Sequence, residues 1–154
     1  MSTSRSGSGS FHVKDGCPTT RKACGAAAVG PDTAHISNAP FLQDGVAEGD
    51  IVRFMTAADG TCWATERVEA SGNCTIRVLP IPDGPLGRSA HAVHERLAPL
   101  GLGGETFSDE LPLVAFTVPV TADLPAVKAI LVHGETEGWW AFETGCVTDA
   151  WTAA

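Results

Sequence analysis

The sequence predicts an α+β protein: a small antiparallel, barrel-like β half, then a half that runs strand, helix, strand, strand, helix, strand. Three observations carry this. An Asp59-Gly60 hairpin signal separates two strand-like runs at 51–56 and 61–69. Apolar helical stripes occur only in the second half. Seventeen glycines and ten prolines in 154 residues imply frequent turns between short elements.

Taken in order, residues 1–10 form a Ser/Gly tail with no apolar material, expected to be disordered. Residues 11–70 form the β-rich half. It opens with short β-like pieces at 11–14 and 33–37 around an Ala/Gly-rich stretch without a clear assignment. Asn38-Ala39-Pro40-Phe41 reads as a turn carrying an aromatic anchor, and Gly49-Asp50 leads into the run Ile51-Val52-Arg53-Phe54-Met55-Thr56.

Residues 71–154 form the second half. In the strand at 74–79, Ile76 and Val78 share one face and Thr75 and Arg77 the other. Leu86, Ala90, Val93, Leu97 and Leu100 then recur at helical spacing, closed by Pro99 and Gly101. Strands at 105–109 and 111–118 follow, the second starting late because proline at 112 cannot donate to a ladder. Asp123 caps a second helix with Leu124, Val127, Ile130 and Leu131 inward, and Gly134 is expected to end it. The final strand covers 139–143. This order is the split βαβ, ferredoxin-like pattern, in which helices cover one sheet face and leave the other open.

The chain has 44% hydrophobic residues, sufficient for a core, and a net charge of -8, which repels phosphate backbones and argues against a nucleic-acid partner. No apolar run approaches the roughly 20 residues of a bilayer span. The N-terminal segment lacks the apolar stretch of a secretory signal, so a cytoplasmic location is expected. In that setting the five cysteines are free thiols by default. Cys62, Cys74 and Cys146 read as small buried hydrophobes. Cys17 and Cys24 lie in a Gly/Pro/Ala-rich segment where a disulfide or a reactive thiol is open.

Several segments carry a resemblance when taken together. They are Asn38-Ala39-Pro40-Phe41, Gly49-Asp50-Ile51-Val52, Ser71-Gly72 with Thr75-Ile76-Arg77-Val78, Leu100-Gly101 with Glu105, Val118-Pro119, and the block from Gly134 to Cys146. In this order they resemble the bacterial domain-of-unknown-function 4265 family, over nearly everything after the tail. Members of that family often carry a histidine where this chain has Asn73. The resemblance supports the fold boundaries and implies no established activity.

The chemistry-bearing candidates gather on the helix-free face. First and last strands are neighbours in a ferredoxin-like sheet. Alternation therefore places Thr75, Arg77, Trp139 and Glu143 together if Trp140 and Phe142 face the helices. An arginine, a carboxylate and a tryptophan can hold a peptide or small ligand by charge-assisted hydrogen bonds and stacking. The competing reading has this face packed on the β half, with Arg77 and Glu143 paired in the interface.

His91 and His94 lie one helical turn apart and also fit a solvated surface, so no metal is assigned. Asp50, Glu66, Glu69, Glu105, Asp109 and Glu110 offer carboxylates whose spacing selects no acid/base pair. The cluster Gly101-Leu102-Gly103-Gly104 reads as helix termination. No nucleophile elbow, phosphate loop or dinucleotide fingerprint is present, and no cofactor is implied. The expected role is non-catalytic binding of a basic protein or peptide, inhibitor-, immunity-like or regulatory. The alternative is a small enzyme or accessory factor holding a small molecule between the halves.

Overall fold

The computed structural model describes residues 11–14, 24–41, 43–60 and 62–154, with backbone alone at 11–14 and 24. The tail and Cys17 lie outside the described residues, as does the side chain of Cys24. The described chain is mixed α+β, with two largely antiparallel sheets and few helices. No described helix is long and apolar enough to cross a membrane.

The first sheet contains β1 (Phe11–Lys14), β2 (Cys24–Ala28), β3 (Thr33–Ile36), β4 (Ile51–Thr56) and β5 (Cys62–Glu69). Each pairs with the next and β5 returns to β1, so hydrogen bonding runs around a ring. Its interior is filled by small side chains, Ala26, Ala34 and Ala64 among Ile36, Val46, Val52 and Cys62. A ring of few strands has room for little more. That explains β2: its alanines have weak strand propensity, but pairing with β3 and burial of Ala26 make the strand. Gly60, at φ 83°, closes the β4–β5 hairpin as expected.

The second sheet is built from β6 (Cys74–Pro80), β7 (Gly103–Thr106), β8 (Val114–Val118) and β9 (Trp140–Cys146), in the order β7-β8-β6-β9 with every neighbour antiparallel. Helices α1 (Ala90–Leu97) and α2 (Leu124–Thr136) supply Val93, Leu97, Val127 and Leu131 to one core with Ile76, Val78, Val114, Phe116, Val118 and Trp140. A short C-terminal helix, α3 (Asp149–Ala153), adds Trp151 to that core and was not anticipated from the sequence.

Two helix boundaries differ from expectation. α1 starts only at Ala90, because Gly87 has φ 56° and the Ser89 hydroxyl accepts the Ala92 amide as N-cap. Leu86 lies before the helix yet still packs on the core. Gly134 does not end α2. It sits within the helix against Trp140, whose indole lies 2.3 Å from where a Cβ would be, and Gly138 at φ 74° makes the exit. Asp123 caps α2 through the Ala126 amide, as read from the sequence.

The cysteine expectation needs one correction. Cys62 is buried as predicted but disulfide-bonded, and the other half of that bridge lies outside the described side chains. Cys74 and Cys146 are free and buried.

Candidate functional site

The helix-free face of the second sheet was expected to be open. Half of it is closed by the chain itself. Residues 43–50 cross from β3 to β4 over β6 and β9 and engage Thr75 and Arg77 on that face.

Arg77 lies opposite Glu143 in the β6–β9 register and donates through Nε to Oε1 at 2.7 Å. Its Nη1 donates to the Gln43 carbonyl at 2.9 Å, and its Nη2 pairs with Asp44. The guanidinium lies flat over Gly145, with Nη1 2.8 Å from where a Cβ would be. Only 4% of the Arg77 side chain is exposed. Thr75 is fully buried and donates to the Val46 carbonyl at 3.0 Å. The Gly45 amide bonds the Gly145 carbonyl at 2.8 Å, so the same segment also occupies the outer edge of β9.

Asp50 anchors the far end. It is 1% exposed, with Oδ2 accepting from the Ala47 amide and Arg67, and Oδ1 from the Ser71 amide at 2.7 Å. The Ser71 hydroxyl and the Asn73 side-chain amide both donate to the Glu48 carbonyl, and Asn73 Oδ1 accepts from the Val120 amide. This carboxylate is therefore committed to structure. Arg67 also reaches the Cys146 sulfur at 3.4 Å. Burial pushes the Cys146 thiol up, against the opposing pull of Arg67, which is the reverse of what a thiolate nucleophile needs.

Of the four predicted site residues, Thr75, Arg77 and Glu143 are together and Trp139 is elsewhere. Trp139 precedes β9. Its amide bonds the Gly134 carbonyl as the turn leaves α2, so strand alternation does not govern it. The ring packs on the helix side, edge-on to His133 and Trp140, with the Arg96 guanidinium 4.1 Å from its centroid. His91 and His94 also part company. His91 pairs with Glu95, whereas His94 meets the Thr106 hydroxyl at 3.1 Å.

Over β7 and β8 the same face stays open. A cleft of about 370 Å³ lies there, walled on one side by Ser37, Asn38 and Glu48 and floored by Gly103, Glu105 and Thr117. At its inner end Phe41 and Ala39 pack on Ala115, with Phe41 edge-on to Phe107. Sequence reading missed this site by assigning the whole 101–104 cluster to helix termination. Only Gly101, at φ 76° after the 3₁₀ turn Ala98–Leu100, does that. The signal was the adjacent pair Gly103 and Gly104, which are in strand β7. Glu105 was expected to open a strand at 105–109, and that strand instead begins at Gly103 and ends at Thr106.

Among curated proteins none matches the chain. A crystal structure of a hypothetical protein from Neisseria gonorrhoeae is similar over 75% of each chain, with a TM-score of 0.61 at 16% identity, a likeness of fold alone. The model of the family described as "Domain of unknown function (DUF4265)" matches residues 24–142, spanning both sheets and the cleft, and the chain belongs to that family.

Proposed function

We propose that this chain is a non-catalytic binding module for a protein or peptide, with an inhibitor-, immunity-like or regulatory role, and that the cleft over β7 and β8 is its site. The reading keeps the binding role and the helix-free face expected from sequence and moves the contact away from Arg77. One observation carries it: the face is closed over β6 and β9 by residues 43–50 but left bare over β7 and β8. The strand order β7-β8-β6-β9 supports a ferredoxin-like half over 71–154, and the ring of β1 to β5 supports a barrel-like half over 11–70.

The cleft lining favours binding over catalysis. Its side chains include Ser37, Asn38, Glu48, Glu105 and Thr117 but no histidine, lysine or cysteine among the described residues. Glu48 and Glu105 are the bases it offers, and among the described residues no hydrogen bond joins either carboxylate to the Ser37 or Thr117 hydroxyl, which leaves those hydroxyls weak nucleophiles. A second reading is supported by size, since about 370 Å³ falls within the usual range for small-molecule pockets.

Selection of a displayed random-peptide library on the folded protein, followed by amide chemical-shift mapping of the winners, separates these readings. The binding module predicts enriched peptides that shift residues 37, 48, 103–105 and 117. A small molecule co-purifying in native mass spectrometry, with no peptide enriched, would favour the second reading. Enriched peptides that shift only other surfaces would remove the cleft from either.

A further inference from the structure

We propose that an extended basic peptide segment adds to the second sheet as a strand along the outer edge of β7, with its cleft-side residues at the rim of the cleft over β7 and β8. This rests on the binding reading above and specifies the partner's chemistry and how it docks.

The first support is the edge itself. β7 is terminal in its sheet, and its outer side makes no backbone hydrogen bond among the described residues. The opposite edge, β9, is bonded by Gly45. A bare strand edge is a template for pairing, which proteins otherwise blunt with proline, lysine or a covering loop. β7 has none of the first two, being Gly-Gly-Glu-Thr.

The second support is Gly103. Its φ is outside the left-handed region, and a Cβ there would meet no atom within 4 Å. Nothing among the described residues requires glycine at this position, although glycine weakens a strand. Gly104 is different: a Cβ would lie 2.6 Å from the Phe116 ring, so packing demands it. A glycine without an internal reason, on the floor of a cleft, leaves backbone bare for the close approach of another backbone.

The third support is charge. The cleft side chains carry two carboxylates, Glu48 and Glu105, and no cation among the described residues, on a chain of net charge -8. Alternate residues of an added strand point to the same face, so lysine or arginine at every second position would meet Glu105, with Glu48 across the cleft adding to the negative field. The same charge disfavours a second copy of this chain as occupant, because two acidic protomers repel.

The test uses a blocked hexapeptide of alternating lysine and valine, its analogue with N-methylated amides on one edge, and a glutamate–valine control, each titrated into the labelled protein. The expected result is that the lysine peptide shifts residues 103–106 and protects the outward-facing Gly104 and Thr106 amides from exchange. The methylated and glutamate peptides should bind at least about tenfold more weakly. Gly103→Val should keep the fold, since valine suits an edge strand, yet weaken the lysine peptide by a similar factor.

Glu48→Lys with Glu105→Lys should transfer preference to the glutamate peptide. Equal binding of methylated and unmethylated peptides, with shifts in the cleft, would overturn strand addition while leaving the binding reading intact. Library peptides mapping to the cleft while the lysine peptide leaves it unmoved would overturn the basic-segment assignment alone. Concentration-dependent protection of the Gly104 and Thr106 amides without peptide, with dimers in sedimentation, would replace the peptide by a second copy.

Discussion

The two edges of the second sheet have opposite fates. At β9, Gly145 lies under a guanidinium held by Glu143, Asp44 and the Gln43 carbonyl, and Gly45 occupies the strand edge. At β7, Gly103 faces open space and the outer edge is unpaired among the described residues. Both glycines lie on strands of one sheet. One is there because its own chain comes too close for a side chain, the other although its own chain stays away. The difference shows where the chain has satisfied its polar groups internally and where it has left them for something else.

The largest effect should come from breaking the anchor of the closed side. Asp50→Ala removes the acceptor of the buried Ala47 amide and the half-buried Ser71 amide, and leaves Arg67, among the described residues, with the Cys146 sulfur alone. Urea denaturation should report a loss of about 3 kcal/mol, with Asp50→Asn recovering part of it by keeping one acceptor. Amide exchange at Gly45 should quicken together with this loss. Unchanged protection there would mean that Arg77 and Thr75 hold residues 43–50 without the anchor.

The same substitution on the two edges then sharpens the contrast. Gly145→Ala pushes a methyl to 2.8 Å from the Arg77 guanidinium, which cannot swing aside without leaving three partners. A cost of about 2 kcal/mol is expected. Gly103→Ala meets nothing and removes glycine's excess freedom in the unfolded chain, so it should stabilise by about 0.5 kcal/mol. Equal signs for the two would end the comparison.

Much of this architecture was legible. The β6 alternation put Thr75 and Arg77 on one face, and β9 register brought Glu143 opposite, because local periodicity and strand order suffice for both. What covers that face was not legible. Gln43 and Asp44 reach Arg77 from a loop more than thirty positions away, and no periodic pattern marks a loop that folds back. Trp139 failed for a local reason, since a turn residue hydrogen-bonded to Gly134 does not obey the alternation that begins one residue later. Gly134 and Gly103 were misread because glycine is needed for close packing and for bare backbone as well as for turns. Sequence cannot rank these uses without knowing the neighbour.

The smallest expected effect tests whether the open edge is tuned by pH. His94 supports β7 from the helix side, its Nε2 at 3.1 Å from the Thr106 hydroxyl and its ring edge-on to Phe116. Burial, with a smaller contribution from His91, lowers its pKa below the ordinary value near 6.5. The folded state therefore prefers the neutral ring. Its contribution to stability is fully present above the unfolded pKa and is lost as pH falls through the folded one. Because the ring is only half-buried, solvent screens part of the effect, and a small decrease in denaturation midpoint is expected between about pH 7 and pH 5. His94→Gln should flatten that part of the profile while keeping a group able to bond Thr106. A profile equally steep in the variant would assign the pH dependence to other groups. Loss of protection on acidification of the wild type alone at the Phe107 amide, which donates to the Leu113 carbonyl at 2.8 Å beside Thr106, would tie the state of β7 to this one ring.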